Sequence, residues 1–583
     1  MLQECIEIFK KEYLEKGENL ITDNYKLGVG DYFIVKDDGS YKHVVIDKKT
    51  EPKNEEEYSY LAERDYLSSL LDMNKPMDST KQIHSNNYLS FYVKNNVLTE
   101  KEEKLRNSIK SFYETLKNPR LKYKGEKKKN YEELEEKIGK PDTDKIDKIQ
   151  GWIEENLWKL QEETAKGKDY IKIFFDADLE EYKRENERYV LPNIYNSTDF
   201  NVVIDEKTFG LPNNNLGLNA KKPFLENKTR KKKYTVPYLL NEEDVFMQKK
   251  FFDYLFNWAC KNHRNIYFSQ NGIEQFTDKD LPSKKINGYY MRVVKNKSEA
   301  EIQRFDVITN YNPHLENRIK VLDYLKKTHG SKYEKLKYGN EIVTLKAFIE
   351  TLNSIIFKGK MYGIIYENIK DLKIIDPRLK YIGNMYKNVF YNLVVRGDLD
   401  GFIKIYRKLF IYCIKSSLIN SNYDFEACEL FNLMLSIEDS FEDKEGRFMT
   451  QVKDIREKFK KCFEKKEGEF ANDREYYFAI GQLAQFLLSK KKSTSKTHES
   501  TVRFIEAKYD EKLKKELVHL FKRYGYDINK FNTRFNLLFS MVMDYTPENK
   551  KVDESGLLCG ILSNCLLYEK MDKAIIENKN EEA

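Results

Sequence analysis

The apolar residues of the C-terminal half recur with the period of an α-helix, and this restricts the fold more than any other feature of the chain. In DREYYFAIGQLAQFLLSK, Ile480, Leu483, Ala484, Leu487 and Leu488 fall at i, i+3, i+4, i+7 and i+8. EKLKKELVHLFKRYG repeats the pattern with Leu513, Leu517, Leu520, Phe521 and Tyr524, and Gly525 fits a helix stop. INKFNTRFNLLFSMVMDY adds Phe531, Phe535, Leu538, Phe539 and Val542, and GLLCGILSNCLLYEK adds Leu558, Ile561, Leu562, Cys565 and Leu566. Four amphipathic helices with short connections predict a bundle. The helical pattern begins near Leu345.

Before Leu345 the pattern is mixed. DYFIVKDDGSYKHVVID reads as a β-hairpin turning at Asp37-Asp38-Gly39-Ser40. Ser85 to Asn96, SNNYLSFYVKNN, alternates as a strand or an extended segment entering a helix. The charge-dense stretch from Thr99 to about Lys168 predicts long helices with a break near Pro141. KDYIKIFFDADLEEY predicts a buried strand and then a helix that ends before Pro192. RNIYFS and GYYMRVVKN read as strands, and EIQRFDVIT fits either strand or helix. The expected class is therefore α+β: a mixed α/β N-terminal region (1–344), a helical connecting region (345–448) and a helical bundle (449–583).

With 583 residues, the chain is long enough for two to four domains. No run of about 18 apolar residues occurs, so no membrane span is expected. MLQECIEIFKKEYLEKG reads as an amphipathic helix and not as a leader peptide. Cys5, Cys260, Cys413, Cys428, Cys462, Cys559 and Cys565 form no CxxC pair, which fits free thiols in a reducing cytoplasm.

Recognisable catalytic motifs are scarce. Asp176 and Asp178 follow a predicted strand, where paired carboxylates can bind Mg²⁺ in a palm-like nucleotidyltransferase or nuclease. Acidic residues also start helices because they complement the dipole, and Glu180 and Glu181 extend the acidic run. The histidines show no ligand spacing, and neither a GxSxG elbow nor a P-loop occurs. No catalytic residue, metal or cofactor is expected.

Nucleic-acid features are stronger. GLPNNNLGLNAKKPFLENKTRKKKYTVPYLL, from Gly210 to Leu240, sets Lys221, Lys222, Lys228, Arg230, Lys231, Lys232 and Lys233 against the single acid Glu226. Gly210 and Gly217 permit positive φ and close backbone approach to a ligand. Asn213, Asn214, Asn215 and Asn219 tolerate the left-handed region and can both donate and accept. Such a loop fits phosphates and base edges, with a solvated basic loop as the plainer reading.

Several segments together resemble a known family. In order they are NNYLSFYVK, IKIFFDADLEEYKRENERYVLPNIYNSTDFN and FGLPNNNLGLNAKKPFLENKTRK, then YYFAIGQLAQFLLSKKKSTSKTH, RFNLLFSMVMDY and GLLCGILSNCLLYEK. They resemble the large subunit of the type I-B CRISPR interference complex, a Cascade-type RNA-guided surveillance assembly. The resemblance is weakest over Thr99 to Lys168 and Gly330 to Ser440. It implies a non-catalytic subunit at the foot of a backbone-subunit filament carrying the guide RNA. Such a subunit reads a protospacer-adjacent motif in target duplex DNA, aids R-loop formation, holds the displaced strand and recruits a helicase–nuclease. Phosphate contacts would set register, a few side chains would read bases, and guide pairing would supply the rest.

The resemblance also implies that 449–583 corresponds to a small-subunit-like domain. That part is further expected to be translated separately from Met449, because the codons of Glu445 and Gly446 can hold a ribosome-binding core. Within it, Lys490, Lys491, Lys492 and Lys496 follow one amphipathic helix, and Lys522, Arg523 and Arg534 lie on polar faces that could line the path of the displaced strand. Asn86, Asn87 and Lys94 are expected to approach the guide or the motif duplex; the plainer reading is an internal strand with Tyr88 and Phe91 in the core. Besides the metal-dependent enzyme, a DNA-free protein scaffold competes with this reading.

Overall fold

In the computed structural model the described residues are 2–47, 56–71, 73, 75–164, 169–195, 201–205, 207–213, 239–297, 299–327, 330, 332, 334–374, 376–420, 424–441, 448–490 and 499–569. The class is α+β, with several small sheets and a helical C-terminal region. The chain forms two compact units, one of Met1–Asp278 with Asn287–Ile308 and one of Lys279–Ile286 with Thr309–Ala583.

In the first unit the hairpin forms where the sequence places it. β1 (Gly30–Val35) and β2 (Tyr41–Ile46) pair antiparallel. Gly39 makes the turn with a φ of 81°, and the Asp38 carboxylate accepts the Ser40 N–H at 2.9 Å. β3 (Ser90–Lys94) and β4 (Tyr170–Phe175) complete a sheet of order β2-β1-β4-β3, in which only the central pair β1 and β4 is parallel. The central strands are buried on both faces, as their continuous apolar runs require. Phe33, Phe91, Ile173 and Phe174 share a core with Leu61, Phe112, Ile153 and Tyr182 from four helices.

A small sheet of β5 (Val202–Ile204), β6 (Lys207–Gly210) and β7 (Leu240–Asn241) follows. A four-stranded sheet, β11-β10-β8-β9, contains β8 (Asn265–Ser269), β9 (Gly272–Phe276), β10 (Ile286–Asn296) and β11 (Glu299–Tyr311). The ambiguous EIQRFDVIT is thus strand.

In the second unit β12 (His314–Lys320) pairs with β13 (Glu341–Thr344). Helices begin at Leu345, as expected, where the Thr344 hydroxyl caps Leu345–Ile355 by accepting the Ala347 N–H at 3.2 Å. The unit itself begins earlier. The Leu322 N–H just after β12 donates to Ser436 Oγ at 3.2 Å, so these strands belong with the helices.

The helix Asp473–Ser489 lies at the centre of the expected bundle, and every residue from Glu475 to Ala484 is buried. A helix enclosed on all sides needs partners on all sides. It has them in Glu499–Ile505, Asp510–Tyr524, Thr533–Asp544 and Glu554–Leu562. The bundle is not closed at Met449, which lies in the first turn of Phe448–Lys465. Tyr406–Asn420 packs on Glu499–Ile505, and Asp424–Phe441 packs on Glu554–Leu562. Lys415 bridges to Glu554 at 2.5 Å. A fragment starting at Met449 would leave those contacts behind. The helix Asp510–Tyr524 stops at Gly525 as expected, but without a left-handed conformation: its φ is −59° and it opens a 3₁₀ turn. Among the described residues no helix is long and apolar enough to cross a membrane.

Candidate nucleic-acid interface

The basic loop springs from a fixed base. β6 and β7 pair Phe209 with Asn241 and Gly210 with Leu240. The Tyr195 hydroxyl ties both strands, donating to Thr208 O at 2.8 Å and Leu240 O at 3.1 Å. Gly210 and Leu240, on either side of the basic segment, therefore lie next to each other. Asn214, Asn215, Gly217, Asn219, Lys221, Lys222, Lys228, Arg230, Lys231, Lys232 and Lys233 all lie outside the described residues, as do Lys491, Lys492 and Lys496.

Two residues at the base do something other than expected. Asn213 is only 2% exposed; its N–H donates to Ile194 O at 2.7 Å and its side-chain amide to Asn193 O at 3.0 Å. It anchors the loop and presents no group to an external duplex. Gly210 has no positive φ. A Cβ there would meet the Tyr195 ring at 2.4 Å, so the glycine makes room for the tyrosine that clamps the loop.

Asn86 and Asn87 are likewise internal. The Asn86 amide donates to Leu67 O, Ser69 O and Asn186 Oδ1, each at 3.0 Å. Asn87 donates to Ser68 Oγ at 3.3 Å and accepts from Ser90 Oγ at 3.1 Å. Both are about 1% exposed, because they latch the entry to β3 onto the end of the Glu56–Ser68 helix. Tyr88 and Phe91 are core residues. Lys94 alone of this group is exposed, its ammonium 5.8 Å from the Tyr170 ring.

Of the two acids after β4, Asp176 accepts from the Tyr60 hydroxyl at 2.7 Å, and its N–H donates to Val35 O. Asp178 stands at the N-cap position of Leu179–Val190, but its side chain makes no capping hydrogen bond. No group of three His, Cys, Asp or Glu able to hold a metal occurs among the described residues.

The second unit carries a surface that the sequence pattern obscured. Phe531 was expected on the buried face of a helix, but that helix starts at Thr533. Asn532 caps it by accepting the Phe535 N–H at 3.1 Å, which leaves Phe531 outside and 85% exposed. The Asn-Thr pair was the sequence signal for that start. Tyr526, in the preceding 3₁₀ turn, is 74% exposed. Lys522 and Arg523 on the last turn of Asp510–Tyr524, and Lys530, are exposed beside them, with Asp527 in the same turn.

A run of ring contacts starts at Phe521, on the helix that precedes this turn. Phe521 lies 5.6 Å from Phe535, which lies 5.3 Å from Phe486, which lies 5.0 Å from Tyr568. The Lys490 ammonium closes the run, 4.9 Å from the Phe486 ring and 5.4 Å from Tyr568. Lys490 thus borders this aromatic series, whereas the Arg523 guanidinium lies 5.6 Å from the Tyr524 ring. Arg534 does not join them at the surface. Half-buried, it donates to Glu569 O at 2.6 Å and fastens Thr533–Asp544 to the C-terminal segment. Exposed rings interleaved with cations can stack bases and hold their phosphates, which is the chemistry of sequence-tolerant single-strand binding.

Comparison with protein-family models, with curated proteins and with solved structures finds no match to this chain.

Proposed function

We propose that this chain is the non-catalytic large subunit of a type I-B CRISPR surveillance complex, working in the cytoplasm. In this reading it binds guide RNA, the motif-bearing target duplex and the displaced strand. Its protein partners are backbone subunits, a small subunit and a helicase–nuclease. The ordered sequence segments supply the family likeness. The observation that carries the nucleic-acid part is the exposed pair Phe531 and Tyr526 beside Lys522, Arg523 and Lys530. Such rings on a water-facing turn have a use when bases stack on them.

The base readers in this proposal are Asn214, Asn215 and Asn219. Lys221, Lys222, Lys228, Arg230, Lys231, Lys232 and Lys233 are assigned to phosphates. Asn213 is assigned to the loop's anchor.

The test is a fluorescence-anisotropy titration of the full chain with labelled duplex and labelled single strand over a series of salt concentrations. Replacing Lys231, Lys232 and Lys233 with alanine should weaken duplex binding for every sequence. It should also flatten the log–log salt slope by about 0.9 per lost phosphate contact. Phe531→Ala should cost single-strand binding about 1–3 kcal/mol, the value of one stacked base, while leaving the melting temperature unchanged. Wild-type behaviour of both variants would remove the nucleic-acid reading and leave the protein scaffold.

A further inference from the structure

A separate cavity of about 470 Å³ in the first unit is lined by Lys75, Lys81, Lys122, Lys124 and Lys127. Among the described residues no carboxylate lines it; the remaining walls are Pro76, Ser79, Tyr123 and Asn193. The larger cleft of about 790 Å³ near the loop base differs in kind, since its lysines share the walls with Glu18, Glu133, Glu187, Glu242 and Glu243. Lys122, Lys124 and Lys127, crowded into a concave space with no carboxylate among its described lining residues, repel one another and focus a positive potential there.

The surrounding charges make the imbalance sharper. Lys122, Lys124 and Lys127 form no ion pair among the described residues. Facing the Lys122 ammonium are Asp78 from the turn before β3, Lys127 from Glu126–Ile138 and the Tyr189 ring at 5.9 Å. Asp78 is consumed by its own turn. Its carboxylate accepts from the Thr80 N–H at 2.8 Å, the Gln82 N–H at 2.6 Å and the Ile83 N–H at 3.1 Å. Burial, with Lys127 adding repulsion, pushes the Lys122 ammonium down to about 8, and burial lowers Lys127 as well.

The Glu126–Ile138 helix also has its charges reversed. Lys127, Lys128 and Lys129 stand in its first turn, with only Glu126 opposing them. Glu132, Glu133, Glu135 and Glu136 come later, towards the negative end of the dipole. An anion in the cavity offsets both the crowding and the reversed helix.

We infer that this cavity is a phosphate site, taking the phosphates of a nucleic-acid strand or the phosphate group of a small compound. The inference does not depend on the function proposed above, because none of its residues belongs to the loop or to the aromatic turn.

The experiment uses the full chain, with inorganic pyrophosphate followed by calorimetry and a labelled single strand followed by anisotropy. Two variants are compared. One is Lys124→Gln with Lys127→Gln; the other adds Lys122→Gln. The first retains the Lys122 contacts to Pro76 O and to Met77 Sδ and so protects the fold. Unchanged circular dichroism melts establish that each is folded.

Pyrophosphate affinity should fall on the order of tenfold or more, and pyrophosphate should protect the wild-type Lys122 amine from acylation at pH 8. If strand affinity falls too, and its salt slope flattens by about 0.7 per lysine, the ligand is a strand. If only pyrophosphate binding falls, the ligand is a small phosphate compound. Equal pyrophosphate affinity in wild type and both folded variants overturns the site.

Discussion

Gly560→Ala is expected to destabilise the second unit by about 3 kcal/mol or more, at the upper end of what overpacking costs. A Cβ at Gly560 would lie 2.2 Å from Phe478 O and 3.0 Å from the Gly481 Cα. These are backbone atoms of the enclosed central helix, so no side chain can rotate away. The two helices would have to separate. That would strip cover from Leu557, Leu558, Cys559 and Leu562, which are all at most 2% exposed. It would also break the bond from Gln482 Nε2 to Gly560 O, 2.6 Å long. Gly481→Ala meets Leu557 O at 2.5 Å and should behave alike.

Gly151→Ala supplies the control. It is a mid-helix glycine in Thr143–Glu162 with nothing within 4 Å of a new Cβ. There alanine should add roughly 0.5–1 kcal/mol, because helix propensity alone decides. Urea melts followed by circular dichroism would compare them. Equal midpoints for Gly560→Ala and wild type would show that the crossing is looser than the distances indicate.

That crossing marks a boundary of what was legible in the sequence. The helical period located the bundle helices because one apolar stripe is a local property. It put Ile480, Leu483, Ala484, Leu487 and Leu488 inside; the first four are buried and Leu488, near the helix end, is half-buried. It did not reveal that Glu475 and Gln482 on the other faces are buried as well, since that depends on partners distant in sequence. The contribution of Gln482, bonding Gly560 O and the Leu566 N–H at 2.7 Å, arises only when the end of Glu554–Leu562 meets the middle of the central helix. The hairpin was legible because Asp38 and Gly39 encode a turn within four residues. The start of the second unit was not, because β12 and β13 are held by helix residues such as Ser436.

The candidate site divides on the same grounds. Asn86, Asn87 and Asn213 are polar residues in a polar-looking context, and a single sequence gives no sign of the carbonyls that bury them. Phe531 misled in the opposite direction: its spacing matched a buried face, but the Asn532 cap outweighed the period. Lys522 and Arg523 were legible as a polar face, whereas the exposure of Phe531 and Tyr526 became visible only with both rings outside the helices. The lysine cavity joins residues 75–81 to residues 122–127, a pairing that no local motif encodes.

Lys172→Met is expected to cost the first unit about 3–5 kcal/mol, the penalty for leaving one member of a buried ion pair alone. Lys172 sits in the middle of YIKIFF, a strand otherwise apolar apart from its tyrosine. Its ammonium lies 2.7 Å and 2.8 Å from the two Asp65 oxygens. The side chains are 14% and 1% exposed respectively. The register explains the choice of residue. Lys172 pairs with Tyr32 on β1 and with Tyr92 on β3, so its stem runs between two rings, at 5.2 Å and 4.7 Å from the ammonium. Asp65 descends from the Glu56–Ser68 helix and also accepts from the Tyr25 hydroxyl at 3.2 Å. The pair therefore sets where that helix docks, and the end of the same helix holds Asn86 and Asn87. Removing only the lysine strands a carboxylate among phenols and apolar rings. Removing both, as Asp65→Leu with Lys172→Met, should recover most of the loss, because an apolar pair of similar volume carries no desolvation cost. A double-mutant cycle read by urea denaturation would separate the outcomes. Additive losses in the double variant would mean that the two charges act independently and that the helix is docked by its apolar face alone.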